Sequence, residues 1–122
     1  MDDTGLNEGD TIIYCRVSRH TRTLGPGSAT EHLQAALDAQ RQQCEEFAAQ
    51  LGYKVAGYIE EMADGVDAER EGLQDLYIAA GYEGIKYVLV SDPTRLSIDA
   101  QTAALIESRL AAAGVEVLYA LM

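Results

Sequence analysis

The segment IKYVLV, residues 85–90, is the most demanding stretch of the chain. It is too short for a buried helix and almost continuously apolar, the pattern of a strand covered on both faces. A strand of that kind belongs in a parallel sheet with helices packed above and below. The flanking sequence agrees. Residues 11–17 (TIIYCRV), 53–59 (YKVAGYI) and 115–122 (VEVLYALM) read as three further strands. Between them lie segments with helical period. In the first, Leu33, Leu37, Gln40, Cys44, Phe47 and Leu51 recur every three or four residues; Ser28 or Thr30 can cap it and Gly52 ends it. A shorter helix spans 70–81 and stops at Gly81, and a third runs over about 97–113 with Leu105, Ile106 and Leu110 inward, up to Gly114. The order β-α-β-α-β-α-β predicts an α/β fold: three αβα layers around a mainly parallel sheet of four or more strands, with right-handed crossovers.

At 122 residues, 48% apolar and 24% charged, the chain is expected to be one globular domain, with residues 1–10 a loose lead-in to a domain over 11–122. No apolar run approaches a membrane span, and acidic residues follow Met1 where a leader would be basic and then apolar. A cytoplasmic location and no membrane partner are expected. Cys15 and Cys44 fall on a strand and on an apolar helix face, and read as small buried hydrophobes. No metal site or cofactor is implied. His20 and His32 read as surface residues. The net charge of −11 opposes unaided binding to nucleic acid.

In a parallel sheet, function gathers beyond the carboxyl ends of the strands. The loops leaving those ends carry Ser18, Arg19 and Arg22, then Glu61, Asp64 and Arg70, then Asp92 and Arg95. Arg16, inside an apolar strand, needs an anionic or acidic partner. It precedes Ser18 by two residues, so both side chains share one face, roughly 6.5–7 Å apart. A serine hydroxyl among guanidinium groups suits a phosphate better than a carbonyl, because guanidinium holds phosphate oxygens in pairs and neutralises transition-state charge. Blander readings exist for each: Ser18 as a turn or cap serine, Arg70 paired with Glu69 or Glu71 on a flexible acidic loop, and Arg95 capping its helix or paired with Asp92 or Asp99. A generic phosphate or nucleotide binder is weaker, since the first loop lacks a glycine-rich cradle before its helix.

Four blocks in order, YCRVS, LDAQRQQCEEFAAQLGY, ADGVDAEREGLQDL and VLVSDPTRLSID, resemble the catalytic domain of serine site-specific recombinases, the resolvase and invertase family. The likeness runs from about Ile12 to Ala120 and implies a resolvase-like, flavodoxin-type topology. It also implies site-specific cleavage and exchange of DNA strands through a 5′-phosphoserine intermediate, without metal or ATP. By that resemblance Ser18 is the nucleophile, Arg16, Arg70 and Arg95 hold the scissile phosphate, and Gln40 and Glu61 support them, Glu61 in place of an aspartate. The implied partner is DNA, engaged through a missing or separate DNA-binding domain, with a homo-oligomer when full length. The chain departs from the family pattern at Thr94 and Ile98, where an aspartate and a second arginine are usual. Ala79 stands where a lysine is frequent, and Gly25, Pro26 and Gly27 lengthen the first loop. These departures keep a second reading open, a recombinase-like domain serving as an interaction or regulatory module.

Overall fold

The computed structural model describes residues 8–18, 29–65 and 69–121, with the backbone only at 29 and 30. Among the described residues, four strands form a single parallel sheet: β1 Thr11–Val17, β2 Val55–Met62, β3 Tyr87–Val90 and β4 Glu116–Tyr119. Their order is β2-β1-β3-β4. Three helices alternate with them: α1 Ala29–Leu51, α2 Glu71–Ala80 and α3 Ala100–Ala112. The expected three-layer α/β architecture is present.

Strand β1 sits between two neighbours and is buried along its whole length. Its alternation divides the core. Ile13, Cys15 and Val17 pack with Leu33, Leu37, Cys44 and Ala48 of α1. Ile12 and Tyr14 pack with Leu73 and Leu76 of α2 and with Ile106 and Leu110 of α3. Each large apolar side chain so enclosed contributes about 1.5–3 kcal/mol through burial. The chain leaves β1 for β2 on one side, then crosses back to β3 on the other. The switch in direction lies between the carboxyl ends of β1 and β3, where doubly wound sheets open a crevice.

The structure moves several boundaries. Strand β2 starts later and runs on through Glu60, Glu61 and Met62, so Glu61 is a strand residue and not part of the following loop. Strand β3 is shorter than IKYVLV, and β4 ends at Tyr119. Helix α1 already includes Thr30, which therefore is not its cap, and Ser28 lies outside the described residues. Helix α3 starts at Ala100, where the Asp99 carboxylate accepts the Thr102 amide. That phase turns Ala103, Ile106 and Leu110 inward and leaves Leu105 70% exposed, against the expected inward Leu105. No described helix is long and apolar enough to cross a membrane. Cys15 and Cys44 are buried free thiols, and burial pushes each up to about 12.

Candidate active site

Alternation along β1 sends Tyr14 and Arg16 toward the face covered by α2 and α3, and Ser18 follows directly after the strand end at Val17. Arg16 is only 3% exposed, and its guanidinium meets backbone carbonyls instead of a carboxylate. Nε donates to Arg95 O at 3.0 Å, one Nη to Ala63 O at 2.9 Å and the other to Thr94 O at 2.7 Å. The side chain thereby ties the loop after β2 to the loop after β3. Burial, and then the nearby Arg70 charge, lower its pKa from the ordinary arginine value. Gly65 passes so close that a Cβ there would lie 2.6 Å from an Arg16 nitrogen.

Arg70 is also buried, at 5% exposure, and stands at the amino end of α2. The blander reading pairs Arg70 with Glu69 or Glu71; the ion pair seen is with Glu61. Arg70 Nε lies 3.1 Å from Glu61 Oε2, an ion pair with both side chains mostly enclosed. Its Nη2 donates to Tyr14 Oη at 2.9 Å, to Arg95 O at 3.0 Å and to Leu96 O. The Tyr14 hydroxyl donates in turn to Glu61 Oε2. Burial is the main reason the Tyr14 pKa rises; the Arg70 charge opposes it and the Glu61 carboxylate adds to it. Glu61 Oε1 accepts the Gly72 amide at 3.2 Å, so the carboxylate also faces the positive end of α2. Tyr14 is the member of this network that sequence reasoning did not single out. Its place two residues before Arg16 was the available signal.

Gln40 projects from α1 to the backbone of β1. Strand β1 pairs with β3 only over Thr11 to Ile13, so the β3-facing groups of Arg16 have no strand to meet. The Gln40 amide takes that role: Oε1 accepts Arg16 N–H at 3.1 Å, and Nε2 donates to Arg16 O at 3.0 Å. Gln40 is 4% exposed.

Arg95 is the outermost of the three arginines, with 31% of its side chain exposed. It ends a short 3-10 turn, Pro93–Arg95, capped by Asp92. Nη1 donates to Arg16 O at 3.2 Å, and Asp92 Oδ2 lies 3.5 Å from Nε. Among the described residues, Nε has no hydrogen-bond acceptor. Ser18 follows Arg16 by two residues at partial exposure, so its Cα falls within roughly 10 Å of the Arg95 guanidinium. Ile98 is 59% exposed and its amide donates to Gly65 O at 3.2 Å, so no cation extends the cluster there. Arg19, His20 and Arg22 lie outside the described residues. The described face thus brings together Ser18, Arg16, Arg70, Arg95, Gln40 and Glu61, with two arginines turned into the protein and one turned out. Such an arrangement can present a hydroxyl and a guanidinium fork to one phosphate.

The sequence matches the family model described as Resolvase, N terminal domain, over residues 11–121. Among solved structures, the C-terminal catalytic domain of ISC1926 TnpA, an IS607-like serine recombinase, superposes with a TM-score of 0.73 at 24% identity, covering 90% of this chain and 68% of that one. The N-terminal catalytic domain of TP901-1 integrase gives 0.71 at 19% identity, covering 91% and 76%. A resolvase family site-specific recombinase from Streptococcus pneumoniae gives 0.66 at 16% identity, covering 91% and 72%. At these identities the likeness is one of fold. No curated protein matches the sequence.

Proposed function

The chain belongs to the resolvase family, as its N-terminal catalytic-domain type, and from that premise we propose that Ser18 cleaves a DNA phosphodiester to form a 5′-phosphoserine. In this reaction Ser18 Oγ bonds to phosphorus while the bond to the 3′ oxygen breaks. The hydroxyl proton leaves Ser18, and the departing 3′ oxygen is protonated. The bond energy stays in the serine ester, so reversal onto a new 3′ hydroxyl needs no ATP.

The observation that carries this reading is the meeting of Arg95 with the carboxyl end of β1, where Nη1 reaches Arg16 O and Ser18 comes two residues later. The arginines divide the work. Arg95, partly exposed, grips the phosphate oxygens and the charge that builds on them. Arg16 and Arg70, buried on the carbonyls of residues 94–96, hold the Arg95 turn in place. Gln40 fixes the strand end from which Ser18 projects. A recombinase-like module without chemistry is the second reading, and the exposed apolar Ile98 in place of a cation favours it.

The test fuses the chain to a sequence-specific DNA-binding module and supplies a nicked substrate that traps the covalent adduct. The expected result is an adduct at Ser18 that forms in EDTA and is lost in Ser18→Ala. An adduct that survives Ser18→Ala would end the nucleophile assignment. No adduct from either the natural chain or Ile98→Arg would favour the module.

A further inference from the structure

We propose that Asp92 is a positioning residue for Arg95, setting the guanidinium so that its outer edge faces the phosphate held beside Ser18; this rests on the reading of Arg95 given above. The Asp92 carboxylate is itself immobilised. Oδ1 accepts the Thr94 amide at 3.0 Å and the Thr94 hydroxyl. Oδ2 accepts Ser91 Oγ at 3.3 Å, and Ser91 is 1% exposed at the end of β3. That same Oδ2 stands 3.5 Å from Arg95 Nε. The guanidinium is therefore held at two corners, Nε by the Asp92 charge and Nη1 by Arg16 O at 3.2 Å. A planar fork fixed at two corners has its remaining edge fixed as well. The corner held by Arg16 O, Nη1, lies at the carboxyl end of β1, two residues before Ser18. The contact at Nε is too long for a hydrogen bond, so its effect is electrostatic and depends on the carboxylate charge.

Asp92 also caps the 3-10 turn, and the two roles separate by substitution. Asp92→Asn keeps an oxygen for the Thr94 amide and removes the charge facing Nε, since asparagine caps about as well as aspartate. The first measurement is the rate of adduct formation by the fused chain on the nicked substrate. Asp92→Asn is expected to slow single-turnover cleavage at saturating DNA about 10-fold or more, with the half-saturating concentration unchanged because the fused module supplies binding. In the Arg95→Ala background, Asp92→Asn should slow it no further, as two residues acting through one guanidinium are non-additive. Equal slowing in both backgrounds, or no slowing in the natural background, overturns the proposal. The second measurement needs no chemistry: solvent exchange of the Arg95 Nε–H by NMR, with that resonance assigned from its loss in Arg95→Lys. Exchange should rise several-fold in Asp92→Asn while the backbone amide spectrum outside 91–98 is unchanged. Unaltered exchange overturns the proposal even if the natural chain forms no adduct, and an absent adduct with raised exchange counts against the cleavage reading alone.

Discussion

Gly72 and Glu61 compete for one volume. A Cβ at position 72 would lie 2.1 Å from Glu61 Oε2, and that carboxylate cannot simply swing away, because Tyr14, Arg70 and the Gly72 amide all hold it. Helix propensity alone favours alanine over glycine by about 1 kcal/mol. Displacing a partly enclosed carboxylate from its donors costs more, about 1–3 kcal/mol for the groups left unmet. Gly72→Ala is therefore expected to lower unfolding free energy by up to about 2 kcal/mol, the remainder after the propensity gain. Glu61→Asp withdraws the carboxylate by one methylene and should recover at least half of that loss in the Gly72→Ala background. Urea unfolding of the two single variants and the double variant measures the coupling. Additive effects would show that the two residues do not share the space.

Strand β1 outlasts its pairing with β3, and a side chain from α1 completes it. Removing the Gln40 amide leaves the Arg16 N–H without an acceptor in a buried site and takes one of two donors from Arg16 O, the other being Arg95 Nη1. Gln40→Ala should cost about 1–3 kcal/mol of stability, and Gln40→Glu should cost more by setting a carboxylate against Arg16 O. Thermal melts followed by circular dichroism check this, and a Gln40→Ala chain as stable as the parent would refute it. Elements such as β1, α1 and α2 were legible in the sequence because apolar period is a local signal, and Gln40 fell on the α1 face by the same period. The polar network was legible only in part of its membership, since Tyr14 was not singled out. Arg16 was marked by its burial in an apolar strand, but its acceptors Ala63, Thr94 and Arg95 lie 47 to 79 residues away. Glu61 was assigned to a loop because acidic pairs rarely extend a strand; Tyr14 and Arg70 offset its charge, a non-local cause. Leu105 misled for the opposite reason: three apolar residues in one helix fit more than one face, and the Asp99 cap together with packing on β4 selected the phase.

For the whole molecule, charge sets the terms on which it can meet DNA. The chain carries −11 net, with nine Lys and Arg in all. Two of the nine, Arg16 and Arg70, have their guanidinium groups committed to carbonyls and to Glu61 at 3% and 5% exposure. A groove of about 580 Å³ beside the site, between β2 and α2, is lined by Glu60, Glu61, Asp64, Glu71 and Asp75 around Arg70, and it repels phosphate. Arg41 and Arg109 are drawn onto tyrosine rings, at 3.7 Å over Tyr58 and 3.9 Å over Tyr77. Among the described residues of this face, that leaves Arg95 as the partly exposed guanidinium, while Arg19 and Arg22 lie outside the described residues. With about one to three phosphates neutralised, log K should fall with log salt at a slope of roughly −1 to −3. Non-specific affinity near 10⁻⁴ M or weaker at physiological salt is expected, the low end of the usual range of about 10⁻⁴–10⁻⁶ M. Under the proposed function, binding this weak means that the phosphate is delivered to this face by another DNA-binding element. Fluorescence anisotropy of the unfused chain against a duplex, titrated at several salt concentrations, measures both quantities. Submicromolar binding at physiological salt, or a slope steeper than about −5, would mean that a broad basic surface exists and that the chain finds DNA by itself.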